Sequence, residues 1–238
     1  MSSYGHRARI GYTCPPLLAE VFPYDFYRMV PEGVMLVLST LSISERNKEE
    51  VDRSYDISMA AARAMAKAGV DLIVLGGVPI NLSRGYENAD RMLDDLSSEL
   101  GVKVTSSAAA QDKALKALGT KKMVIARPYP AQGGYQFEEY GDRKVLGTYA
   151  LDAPFGMISR LDRHGGVDLG RRATQAYPDA DTIMFPSPHW PVIDAIDPLE
   201  RELGVSVMSA LQAIVWDALR MTGVNDRIDG FGRLLREF

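Results

Sequence analysis

Asp71-Leu72-Ile73-Val74-Leu75, stopped by Gly76-Gly77 and Pro79, is a short apolar run of the kind that forms a buried parallel strand. The second half of the chain repeats it as Asp181-Thr182-Ile183-Met184-Phe185. The repeat extends downstream. Glu99-Leu100-Gly101-Val102-Lys103-Val104 matches Glu202-Leu203-Gly204-Val205-Ser206-Val207, and Ser106 matches Ser209. Each serine precedes an apolar helical stretch that ends at Gly119 or Gly223. Upstream, Lys122 to Ala126 echoes Arg7 to Tyr12. Leu-Gly-Val alone is common, but several matches in one order imply an internal duplication. This alignment makes Cys14 the mate of Tyr129, Gly77 that of Ser187, and Ser106 that of Ser209.

Outward from the repeat, Arg9 to Tyr12 and Val34 to Leu38 read as strands, the first stopped by Cys14-Pro15-Pro16. Arg46 to Ala68 carries Val51, Ile57, Met59, Ala62, Met65 and Ala66 near helical spacing, with Gly69 where a C′ glycine belongs. A second helix spans about Asn88 to Leu100, and Val102 to Thr105 is the strand after it. Strands joined through helices form right-handed crossovers and a parallel sheet. The expected fold is α/β: two pseudo-symmetric halves, each with a parallel sheet of about four strands, around a cleft. The halves are placed at 1–119 and 120–209. Residues 210–238 are expected to pack back on the first half, because their final helix has no strand after it.

The 238 residues are 46% hydrophobic and 24% charged, which excludes a disordered chain. Lys and Arg number 27 against 31 Asp and Glu, so the net charge of −4 argues against a nucleic-acid partner. Cys14 is the sole cysteine, too few for an intrachain disulfide or a thiolate zinc site, and a reducing cytoplasmic setting is expected. No run nears the roughly 18 apolar residues of a membrane span. The three histidines are scattered, so neither a metal nor an organic cofactor is expected. Self-association is left open.

In open parallel sheets ligands bind at the carboxyl ends of the strands. There Ser187-Pro188-His189 offers a hydroxyl and an imidazole whose ordinary pKa, near 6.5, suits acid–base work. Pro186, Pro188 and Pro191 would stiffen this loop. The competing reading is a capped loop with His189 on the surface. Gly76-Gly77-Val78 permits close backbone approach to a ligand, or is simply a turn. Ser106, Ser107 and Ser209 suit N-caps whose helix ends also favour a carboxylate. Tyr129 can donate to a carboxylate or only pack. Cys14, beside Pro15, reads as a nucleophile or as a buried thiol. Ser39-Thr40 ends the second strand. His6 and His164 read as surface and loop residues.

Taken together, the residues resemble the Asp/Glu racemase superfamily, in the branch that holds arylmalonate decarboxylase and maleate isomerase. The likeness is carried by Arg9-Ile10-Gly11 with Pro15-Pro16, Gly77, Arg84-Gly85, Leu100-Gly101-Val102 and Ala117-Leu118-Gly119. It continues in Tyr129, Ile193-Asp194-Ala195-Ile196, Glu200-Arg201, Trp216-Asp217-Ala218 and Gly232-Arg233-Leu234-Leu235. The resemblance implies a cofactor-free enzyme on a small carboxylic acid, with cysteine acids and bases at two pseudo-symmetric strand ends. Racemases and isomerases of that group carry cysteine where Gly77 stands. Decarboxylases have glycine there and keep the second cysteine, at the position of Ser187. Both thiols are therefore expected to be absent here, and Val78-Pro79 replaces a Thr-Ser pair of the anion site.

The expected catalytic residues are Ser187 and His189. The expected substrate-binding residues are Gly77, Val78, Tyr129, Ser106, Ser107, Pro15, Cys14 and Pro188. Three function classes stay open: a decarboxylase or isomerase, a hydrolase or other lyase using Ser187 and His189, and a non-catalytic carboxylate binder.

Overall fold

The computed structural model describes residues 4–45, 47–78, 80, 89–130 and 142–238. Arg46, Pro79, Arg84-Gly85 and Asn88, all used in the sequence reading, lie outside them. In chain order the elements are β1 (Ala8–Pro16), α1 (Val21–Met29), β2 (Val34–Ile43), α2 (Lys48–Lys67), β3 (Leu72–Leu75), α3 (Ala89–Leu100) and β4 (Lys103–Ser106). Next come α4 (Ser107–Ala117), β5 (Lys122–Arg127), β6 (Lys144–Ala150), a 3₁₀ segment (Phe155–Arg160), α5 (Gly165–Ala176) and β7 (Thr182–Phe185). The chain closes with α6 (Ile193–Leu203), β8 (Ser206–Ser209), α7 (Ala210–Met221) and α8 (Arg233–Glu237).

Two four-stranded sheets result, ordered β2-β1-β3-β4 and β6-β5-β7-β8, with every pairing parallel. β3 and β7 are buried along their whole length, as their unbroken apolar runs require. Helix α2 starts where the Asn47 side chain accepts from Glu50 N at 2.9 Å, and Gly69 beyond its end has φ 75°. Its Met59, Ala62 and Met65 pack with Ile73, Leu75, Leu93, Leu96 and Val104. Ile57, placed on that apolar stripe by spacing, is instead 38% exposed.

The duplication is visible in individual hydrogen bonds. The Asp71 carboxylate accepts from Arg9 N at 2.7 Å, and Asp181 accepts from Lys122 N at 2.9 Å. Val104 N donates to Ser97 Oγ at 2.9 Å, and Val207 N to Glu200 Oε1 at 3.0 Å. Ser106 Oγ accepts from Ala109 N and Ser209 Oγ from Gln212 N, both at 3.1 Å. Register also corrects one pair of mates. Ile10 lies beside Leu72 and Met123 beside Thr182, so the fourth residue after each makes Cys14 the counterpart of Arg127. Tyr129 then corresponds to Pro16. The pairings Leu75–Ser106 and Phe185–Ser209 keep Gly77 with Ser187 and Ser106 with Ser209.

By contacts, residues 1–19, 30–110 and 217–226 form one unit, and 20–29, 111–216 and 227–238 the other. This differs from the contiguous halves expected. The first helix joins the second unit, and only 217–226 of the C-terminal segment joins the first. The final helix goes to the second unit for a polar reason. Gly232 N donates to Asp197 Oδ1 at 3.2 Å and Arg233 N to Glu200 Oε2 at 2.8 Å, which satisfies amides at the start of α8. Arg236 also reaches Asp197, at 3.3 Å, while Leu234 enters the apolar cluster of Met123, Met184 and Met208.

Glu200 thus accepts from two backbone amides while nearly buried, and burial raises its pKa against the pull of those amides. Glu200→Ala leaves both donors without their acceptor and is expected to cost about 3 kcal/mol. Urea unfolding tests this; a loss below about 0.5 kcal/mol, the size of an ordinary surface change, would remove Glu200 as the anchor of α8.

Candidate functional site

In the first unit the carboxyl end of the sheet is built on a close backbone approach. Gly76 N donates to Thr13 O and to Thr13 Oγ1, each at 3.0 Å, and Ser58 Oγ donates to Thr13 Oγ1 at 3.0 Å. A Cβ on Gly76 would lie 2.0 Å from Thr13 O and 2.9 Å from Tyr12 Oη. Gly77 follows with φ 78°, and its Cβ would meet Pro15 at 2.8 Å. Only glycine fits both places, the first for space and the second for backbone conformation as well. Cys14, Pro15, Gly77, Val78, Ser106 and Ser107 therefore gather at the ends of β1, β3 and β4.

Their chemistry is more restricted than their identities suggest. Cys14 is fully buried, and that burial pushes its thiol pKa well up, so it is neither thiolate nor base at neutral pH. Ser106 caps α4 through Ala109 N. Ser107 is buried and Val78 half-buried. Ser39 and Thr40 lie beside Thr13 and Cys14 on the edge strand β2. Sequence reading missed Thr13 and the buried contact of Thr105 Oγ1 with Asp217 Oδ2 at 2.9 Å. Thr13 had no signal of its own, since a threonine at a strand end is ordinary.

In the second unit β5 ends in Arg127, followed by Pro128 and the half-buried Tyr129. β7 runs into Pro186-Ser187-Pro188-His189-Trp190, where Ser187 is buried. Ser209 and Gln212 cap α7 reciprocally, with Ser209 N donating to Gln212 Oε1 at 3.3 Å. His189 corrects the expectation of a near-neutral imidazole. Its ring lies 5.9 Å from that of Phe22 on α1, and complete burial pushes its pKa down to about 3. Taking a proton there means placing charge in an apolar pocket, so the ring stays neutral at pH 7. Trp190 beside it packs edge-to-face on Phe185 at 5.4 Å. His189 is therefore not a surface histidine but a buried one.

No group of three metal-binding side chains occurs among the described residues, and no helix among them is long and apolar enough to cross a membrane. Arg127 was also missed, because the repeat alignment paired Cys14 two residues further on.

His189 makes stability sensitive to acid. Its folded pKa of about 3 lies below the ordinary 6.5, so below pH 6.5 the unfolded chain binds a proton that the folded chain refuses. This contribution to stability is present above pH 6.5 and lost as pH falls toward 3. Urea midpoints measured between pH 7 and 4.5 should fall more steeply for the wild type than for His189→Leu. Parallel curves would show that the ring is not desolvated.

A family model described as arylmalonate decarboxylase matches residues 10–235. The arylmalonate decarboxylase of Bordetella bronchiseptica is 29% identical over 238 residues, covering 96% of each chain. A maleate isomerase of Geobacillus stearothermophilus is 23% identical over 206 residues, covering 83% of this chain and 82% of its own. Among solved structures, an arylmalonate decarboxylase crystal structure superposes with a TM-score of 0.81 at 28% identity, over 95% of this chain and 98% of the other. The maleate isomerase Iso of Pseudomonas putida gives 0.84 at 21% identity, over 97% and 98%, a likeness of fold. With a match that runs from within its first strand into its last helix, the chain belongs to the arylmalonate decarboxylase family.

Proposed function

We propose that this chain is a cofactor-independent decarboxylase of a small carboxylic acid, working without a catalytic thiol. The observation that carries the reading is electrostatic. The two side chains best suited by type to titrate near neutrality at these strand ends, His189 and Cys14, are both moved away from it by burial. Racemisation and isomerisation by proton transfer begin with a base that removes a proton from carbon, and that requires a group poised near the working pH. Decarboxylation makes no such demand.

In that reaction the bond between the α-carbon and one carboxylate breaks, and carbon dioxide leaves. The electron pair stays on the α-carbon and spreads into the retained carboxylate as an enediolate. Such a carbanion is basic enough to take a proton from a hydroxyl. Ser187, which in this reading occupies the position of the decarboxylase thiol, delivers that proton to the α-carbon and recovers one from water. Tyr129 donates to the retained carboxylate. A hydrolase built on Ser187 and His189 fits poorly, because an imidazole with a pKa of about 3 is too weak a base to activate a serine.

The test is turnover of substituted malonates in D₂O. The expected result is carbon dioxide release with one deuterium on the α-carbon of the product, and a rate reduced about 10²-fold or more in Ser187→Ala. Three outcomes overturn the reading: deuterium exchange into a monocarboxylic acid without carbon dioxide release, an acyl adduct on Ser187, or tight acid binding with no turnover.

A further inference from the structure

Arg127 is the last residue of β5, one of the two inner strands of its sheet. Its main chain is fixed: Arg127 pairs with Ala150 on β6, and its carbonyl accepts from Leu151 N at 3.1 Å. Its side chain is half-buried, and Nε is shut off from solvent with no hydrogen-bond partner among the described residues. Other half-buried arginines are satisfied. Arg28 pairs with Asp194 at 2.5 Å, Arg143 pairs with Asp112 at 2.6 Å, and Arg220 donates to the carbonyls of Val224 and Asp226 at 2.8 and 3.2 Å. Arg53, Arg160, Arg172 and Arg227, which make no ion pair among the described residues, are all exposed to water.

A buried donor left without an acceptor is costly, the more so on a charged group, and a chain keeps one when something else supplies the acceptor. The position says what. β5 lies beside β7 with Ile125 opposite Met184, so Arg127 stands two residues nearer the carboxyl end, one step short of the level of Ser187. Tyr129 is two residues further along the same segment. Ligands of parallel sheets bind at these strand ends. A guanidinium there matches a carboxylate in charge and in its two-pronged geometry.

We propose that Arg127 receives the carboxylate that the substrate retains. This rests on the decarboxylase reading above. The choice between the two carboxylates follows from charge. Pairing the guanidinium with the departing group would stabilise the ground state and lose that pairing as neutral carbon dioxide forms, which raises the barrier. The retained group instead gains negative charge as the enediolate develops, so its attraction to Arg127 grows toward the transition state.

The test compares wild type, Arg127→Met and Arg127→Lys in three measurements: malonate binding by calorimetry, the melting temperature of the ligand-free protein, and steady-state kinetics on the malonate that wild type turns over. In Arg127→Met, malonate binding should weaken about 10-fold or more, and kcat should fall about 10²-fold, more than KM rises. The ligand-free melting temperature should hold or increase, since a buried donor without an acceptor is removed. Arg127→Lys should recover part of the binding but less of kcat, having the charge without the fork. Unchanged malonate binding in Arg127→Met overturns the assignment. So does a melting temperature lowered by several degrees, which would make Arg127 a structural residue. Wild type that binds no carboxylic acid would instead overturn the decarboxylase reading itself.

Discussion

A parallel sheet buried along its inner strands leaves almost no place for polar side chains except at the strand ends, and this constraint organises the molecule. β3 and β7 are buried throughout, and their backbone groups are taken up by neighbouring strands. Polar chemistry is therefore pushed outward along the strands. At the amino ends it is structural: Asp71 and Asp181 each accept from the amide of a neighbouring strand. At the carboxyl ends it is varied, with Thr13, Gly76, Gly77, Ser106, Arg127, Ser187 and Ser209. The same packing that stabilises the sheets thus concentrates reactive groups where the chain turns into helices.

Burial then decides what those groups can do. His189 and Cys14 have the side chains a chemist would choose for proton transfer near neutrality, yet both are held in their neutral forms by loss of water. Desolvation penalises the charged form of each group, so side-chain type alone does not say what either can do at neutral pH.

The duplication supplies two copies of one frame, and divergence between copies gives them different chemistry. Strand order, the aspartate bridges, the serine caps and the bonds from Val104 and Val207 back to the preceding helix are retained in both. The residues that differ sit at the strand ends: Cys14 against Arg127, and Gly77 against Ser187. A thiol and a cation at one equivalent position, or a bare backbone and a hydroxyl at another, cost the frame little, because the strands are joined through main-chain groups and not through these side chains.

The repeat, the strand–helix alternation, the serine caps and the kinship with arylmalonate decarboxylases were legible in the chain itself. Each is a local pattern, set by apolar period, capping residues and short motifs that keep their order. Other features were not legible. The direction of His189 past Pro188 depended on Phe22, which lies far away in sequence on α1. The need for glycine at position 76 arose from Thr13 on another strand. The equivalence of Cys14 with Arg127 needed the register of paired strands, since matching short sequences across a duplication tolerates a slip that hydrogen bonds do not. The destination of α8 was set by Asp197 and Glu200. Sequence alone determined which elements form and how they repeat. Tertiary structure decided which side chains keep contact with water, because burial and hydrogen-bond partners come from residues that only folding brings together.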